Sequence, residues 1–312
     1  MQLKRQNTKR IKKSSDLLKR REQLELFSMQ LPGILLTIVF CYLPMIGIII
    51  AFKNYNVAAG IMNSPWVGFK YFREFFGGRD FFRILKNTLI LSIYELIVCF
   101  PLAIVFALLM NELRSLKFKK IVQTVTYLPH FISMVVVCGM IVDFFSAKGL
   151  MTNLFVKMGM PRMNYLGSND YFRHIYVWTN AWKTIGWNSI IYMAALSGVD
   201  QSLYEAAKID GANRFRQVIH VTIPGIAGTI VVMLILKIGN IMSLGYEKII
   251  LLYGPSTYKT AEVISSYVYR YGLTGMKYSY STAAGLFQSV VNLILIVGSN
   301  TLSKKVTDMG LY

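Results

Sequence analysis

Six apolar runs, at roughly 30–52, 86–111, 121–145, 174–198, 225–245 and 282–302, decide most of what this 312-residue chain can become. Each is close to or above the roughly 20 residues that a helix needs to cross a bilayer. Hydrocarbon offers the backbone no partner, so such segments span as helices that close their own hydrogen bonds. Composition agrees: 54% of the residues are hydrophobic and 16% are charged, where a soluble domain carries about a quarter charged residues. The expected fold class is an all-α integral membrane protein with about six transmembrane helices. Pro32, Pro44 and Pro101 lie in the first two runs, which a packed bundle tolerates.

Charge sets the orientation. The net charge is +19, and nine of the 34 Lys and Arg residues precede position 30. That cluster stands before the first span, where it would hold the N-terminus in the cytoplasm against anionic headgroups. With the N-terminus inside, the interior segments 1–29, 112–120, 199–224 and 303–312 hold 18 basic residues, against 13 in the longer exterior segments 53–85, 146–173 and 246–281. Arg114, Lys117, Lys119 and Lys120 crowd one short interior loop. Both termini are therefore expected in the cytoplasm. The chain divides into a basic tail, 1–29, a membrane domain, 30–302, and a short tail, 303–312. Residues 14–29 read either as an interfacial amphipathic helix or as an unfolded basic tail.

Several functions drop out. The basic residues come with neither zinc-ligand spacing nor a stacking platform, so nucleic acid is not the expected partner. Cys41, Cys99 and Cys138 all sit in apolar runs as small buried hydrophobes. His130, His174 and His220 are scattered, so neither a metal site nor a catalytic residue is expected. Gly is nowhere followed by Lys, which excludes a Walker A phosphate loop from the chain.

The segment 199–224 is too polar to span and too patterned for a slack linker. Residues 201–209 are helix formers, Asp210-Gly211 signals a turn, and 213–220 can form a second short helix. Pro224 suits the first turn of the span that follows. Ala206 and Ala207 leave one side thin enough for another protein to approach, and Glu205 offers that protein a charge.

Glu205-Ala206-Ala207, three residues, Gly211, nine residues, Val221, one residue and Ile223-Pro224 resemble the cytoplasmic signature of binding-protein-dependent ABC importer permeases. The family pattern has Ile at Val221 and Leu at Ile223, and both changes keep the apolar character. Trp66-Val67-Gly68 with Asn87-Thr88, Tyr127-Leu128-Pro129, Tyr204 and Asp210-Gly211-Ala212 resemble sugar-importing members. Thr126 to Ile132, Trp182-Lys183 with Gly186-Trp187, and Ser265 to Tyr271 are similar to the lipoprotein-associated polysaccharide group, near which the alginate-importer permease belongs.

The resemblance implies a type I importer core. It implies a second, different permease, two ATPase subunits that carry ATP and Mg, and an extracytoplasmic solute-binding protein, all in a bacterial inner membrane. This chain would hold no cofactor. Residues 199–224 would be the coupling helices, with Glu205 meeting a basic ATPase residue and Gly211 setting the turn. The implied substrate is an oligosaccharide or polysaccharide, neutral or acidic; a permease for another solute, or a secondary transporter or channel, are the alternatives.

Ionisable groups inside spans are costly and mark pathway candidates. Glu95, Lys183 and Lys237 fall about 14–18 Å into their spans. Asn188 and Asn240 add polar capacity, and Trp178, Trp182 and Trp187 offer faces to a sugar ring. Glu95 reads equally as a structural partner for a lysine. The sharper expectation is that Lys183 and Lys237 stay unpaired and favour an acidic oligosaccharide.

Overall fold

The computed structural model describes residues 23–307 and Gly310, so most of the basic tail and most of the last few residues lie outside it. The described residues are helical almost throughout, with one isolated bridge between Lys53 and Trp66. The chain divides into two compact units, up to Gly68 and from Phe69 onward.

The first unit is built on one apolar helix, α1 (Gln23–Phe52). Its winding loosens over Ile38–Tyr42 and tightens over Leu43–Phe52, around Pro44, which cannot donate to the helical ladder. Most of its side chains are exposed, Phe40 and Leu43 among them. An apolar helix bare on all sides belongs in lipid or against another membrane helix. Beyond it Phe52 stacks on Trp66, and the Lys53 ammonium donates to the carbonyls of Ile61 and Met62.

The second unit opens with α2 (Lys70–Phe76) and the long α3 (Phe81–Glu112). There follow α4 (Leu116–Phe131), α5 (Met134–Phe145), α6 (Leu150–Lys157) and α7 (Phe172–Ser197). Then come α8 (Gln201–Ile209), α9 (Arg214–Gly225) and α10 (Ala227–Gly239). Three short helices, α11 (Tyr246–Leu252), α12 (Tyr258–Ala261) and α13 (Ile264–Tyr269), lead to α14 (Tyr278–Thr307).

The centre of this unit is α3 packed along α7. Leu91 and Cys99 meet Val177 and Ala181 in one buried cluster, and further along Ala103 and Ala107 meet Tyr192 and Leu196 in another. Small residues let the backbones come close, which is how membrane helices gain packing without help from water. Gly186 does the same for α4 and α7: a Cβ there would overlap the Thr126 carbonyl. The aromatic residues of 66–82 divide between surface and core. Phe69 and Phe82 are exposed, while Phe75 and Phe81 pack around Phe287.

Four described helices are long and apolar enough to span, or five if the bent pair α9–α10 counts as one. Helices meet all six expected runs, three of them with a departure from a plain apolar span. The run 174–198 is a full-length helix, α7, but Arg173, Lys183 and its polar residues keep it outside the apolar set. The run 121–145 is cut at Ile132–Ser133, where α4 ends and Ser133 caps α5. The run 225–245 is helical only to Gly239, and Asn240–Gly245 is irregular.

Candidate functional site

Two groups of residues stand out, at one end of α3 and at its middle. The end group is the segment 199–224. The Asp200 carboxylate caps α8 by accepting from the Ser202 N–H at 2.9 Å. That contact, with the Ser202 hydroxyl, holds the Asp200 carboxyl below the usual carboxylate range. Gly211 turns the chain with φ +76°, a conformation that costs other residues about 1–2 kcal/mol. Asn213 then caps α9 by accepting from the Arg216 N–H at 2.9 Å.

Pro224 lies on the near side of a 63° bend that centres on Ile226. It stands in the first turn of the short helical piece Ile223–Gly225 that leads into the bend. Behind the turn, the Tyr204 hydroxyl donates to Thr222 Oγ1 at 3.1 Å, and Arg214 pairs with Glu112 at 2.6 Å. Gln201, Tyr204 and Lys208 face a hollow of about 670 Å³ against Glu112 and Arg114.

The outward face is different in kind. Glu205 and Ala206 are exposed, Ala207 is half-buried, and Asp210 is exposed. Leu203, Ile209 and Phe215 stand out with them, Ile209 at 86% exposure and Phe215 at 73%. Three large apolar side chains are thus bare on a segment too polar to span. Sequence reasoning found the helices and the turn but passed over Ile209 and Phe215, whose signal is simply apolar character inside a non-spanning segment.

At the middle of α3, Lys237 donates to Glu95 Oε1 at 2.9 Å. The pair borders a cavity of about 100 Å³ lined also by Ser92, Asn240 and Ser243. Ser243 Oγ accepts from Asn292 at 2.7 Å and from Gln288 at 3.2 Å, which carries the polar strip onto α14. Ser92, Ser243, Gln288 and Asn292 were not singled out from sequence, because single polar residues in apolar runs carry no periodic signal.

Lys183 lies elsewhere and does different work. Its ammonium donates to the carbonyls of Pro129, His130 and Ile132 at 3.0, 3.2 and 2.6 Å, filling the break between α4 and α5. Neither lysine is thus unpaired, which corrects the expectation of two free positive charges. Trp187 stacks flat on His130 at 4.4 Å, Trp178 and Trp182 are exposed, as is Asn188, and none of these lines the Glu95 cavity.

A third cluster was missed altogether. Glu262 is fully buried and holds Arg83 at 2.8 Å and Arg270 through its Nε at 2.8 Å. Asn87 donates to the carbonyls of Lys259 and Glu262, and Arg173 donates to Asn87. Lys248, also buried, donates to the Tyr176 carbonyl at 2.7 Å and lies over that residue's ring. These contacts tie the segment 246–274 to α3 and α7. Apart from Arg270 with Glu262, eight positions apart, they join residues about 70 to 180 positions apart, beyond the reach of any local pattern.

An all-helical membrane unit carrying an exposed, capped helical turn is the architecture of an importer permease. The chain belongs to the family described as binding-protein-dependent transport system inner membrane component, whose profile matches residues 99–308. It is 43% identical to the protein LplB of Bacillus subtilis over 92% of this chain and 91% of that one. It is 44% identical to the polygalacturonan/rhamnogalacturonan transport system permease protein YteP of the same organism, over 97% and 95%. Among solved structures it is similar to a chain of a bacterial ABC transporter involved in import of the acidic polysaccharide alginate. The TM-score there is 0.84 and the identity 42%, covering 92% of this chain and 97% of that one. The fold is that of the type I ABC importer permeases.

Proposed function

We propose that the chain is one permease of an ATP-driven oligosaccharide importer, with both termini and the segment 199–224 in the cytoplasm. The carrying observation is the capped turn at Gly211 with its bare Ile209 and Phe215. A soluble ATPase seated there would push on a rigid piece that leads through α9 and a 63° bend into α10. Glu205 would meet a basic group of the ATPase. ATP and Mg would stay on two such subunits, since this chain has no phosphate loop. A second permease would complete the path, and an external solute-binding protein would supply the sugar. The alginate importer similar to this chain has also been seen in complex with a periplasmic protein bound to an alginate pentasaccharide. YteP is named for polygalacturonan, so uronate oligosaccharides are the first substrates to try.

Co-purification with the native ATPase tests the reading. Ile209→Asp with Phe215→Asp should strip the ATPase from the permease pair and abolish ATP-dependent uptake. An ATPase that stays bound and active would refute the assigned docking face.

A further inference from the structure

Resting on the importer reading above, we infer that Glu95 and Lys237 form an exchange site for substrate carboxylates, so that the permease itself selects acidic sugars. Three independent features converge on the small cavity beside this pair.

The first is the asymmetry of the pair. The Lys237 side chain is 43% exposed, whereas that of Glu95 is 11% exposed. Lys237 is thus the more open member of the pair, and both line the cavity. The second is Ser92, on the same face of α3 one turn before Glu95. Its hydroxyl is buried and has no hydrogen-bond partner among the described residues, and Ser92 lines the same cavity. An orphaned buried hydroxyl costs about 1–3 kcal/mol, which a bound acceptor would recover.

The third feature is the backbone. Residues 240–245 are not helical, and Asn240, Ser243 and Gly245 border the cavity. Irregular backbone at membrane depth is tolerated where it is buried in protein or lines a watery path. The cavity holds roughly three waters, which suits the carboxylate-bearing edge of a sugar and excludes a whole ring. A passing uronate therefore presents its carboxylate to Lys237 and Ser92, displaces Glu95, and loses the contact again when Glu95 returns.

The consequence is a contact that is weak by construction. A free lysine would hold a polyanion tightly and slow its release, whereas conduction needs sites that bind and let go. Glu95 keeps competing for the same ammonium, so each carboxylate is recognised and then passed on.

The test uses the complete importer, with its own second permease, ATPases and binding protein, in proteoliposomes. Initial uptake of trigalacturonate is compared with that of its neutral methyl ester, with the binding protein unchanged throughout. Lys237→Met should lower the acid-to-ester ratio about tenfold, the scale of one lost charge-assisted contact. Lys237→Arg should retain the acid preference. Glu95→Gln should lower both KM and kcat for trigalacturonate, since the freed lysine holds the acid longer. Ser92→Ala should raise KM for the acid.

Equal losses for the two sugars in Lys237→Met would overturn the proposal and leave the importer reading intact. Should that variant fail to assemble, unchanged KM and kcat in Glu95→Gln would overturn it equally. A wild-type importer that takes up neither sugar would overturn this inference with the uronate substrate, and leave the oligosaccharide reading standing.

Discussion

The two ends of α3 are held by charges in opposite styles. Near Phe81, Arg83 reaches a fully buried Glu262 that also holds Arg270. At the far end, about 48 Å away for 32 helical residues, Glu112 meets Arg214 with both side chains exposed. Buried charges must be paired, whereas exposed pairs are worth little. One end is therefore fastened from within. The other is left loose, with its apolar side chains turned outward. The difference separates an end that is tied from within from one whose apolar side chains are left bare.

The largest effect should come from breaking the closed end. Glu262→Gln removes the buried carboxylate that Arg83 and Arg270 share, leaving Arg83 only Asp80 as an acidic partner, and loss of a partner from a buried pair costs about 3–5 kcal/mol. The importer should unfold at a clearly lower temperature, or fail to accumulate, and an unchanged melting point would break the comparison. Lys183→Met comes next. It takes the donor from the His130 and Ile132 carbonyls at the α4–α5 break, while the Pro129 carbonyl keeps the Ile132 N–H, at about 1–3 kcal/mol where water cannot reach. Melting of the purified complex would show it, with the loss exceeding that of any variant in 199–224.

At the open end the effects shrink. Asn213→Ala removes one helix cap and should cost about 1 kcal/mol, read more easily as weakened ATPase co-purification than as a melting shift. The Asp200 cap behaves likewise with pH. Its carboxyl is held low by Ser202, so its contribution is in place above the ordinary carboxylate pKa of about 4 and fades as pH falls through the depressed value. ATPase binding should consequently be flat from neutral pH to about pH 5 as far as this cap is concerned. Smallest of all, Glu112→Gln should change stability by less than about 1 kcal/mol, with the difference vanishing at high salt. A larger loss would sharpen the contrast into a question about what else Arg214 holds.

What was legible in the sequence follows from the range of the physics. Helix α8 was readable because a run of helix formers and Asp210-Gly211 are local signals, and α7 because its length exceeds its interruptions. The cut at Ile132 was hidden inside an apolar run, although Pro129 and the capping Ser133 were both on view. The irregular stretch after Gly239 was hidden in the same way. Glu95 had two meanings from sequence, and the distance to Lys237 gave it a partner. Glu262 could not be read at all, since its worth depends on Arg83, 179 positions earlier.

At the α4–α5 break three peptide oxygens converge on a single point, an arrangement that elsewhere coordinates a metal ion, and here the Lys183 ammonium sits at that point. The chain thus carries its own tethered cation. A round, three-pronged donor fits such a cradle, and a flat guanidinium does not. Arginine, the usual gentle replacement for lysine, would be a poor substitute there.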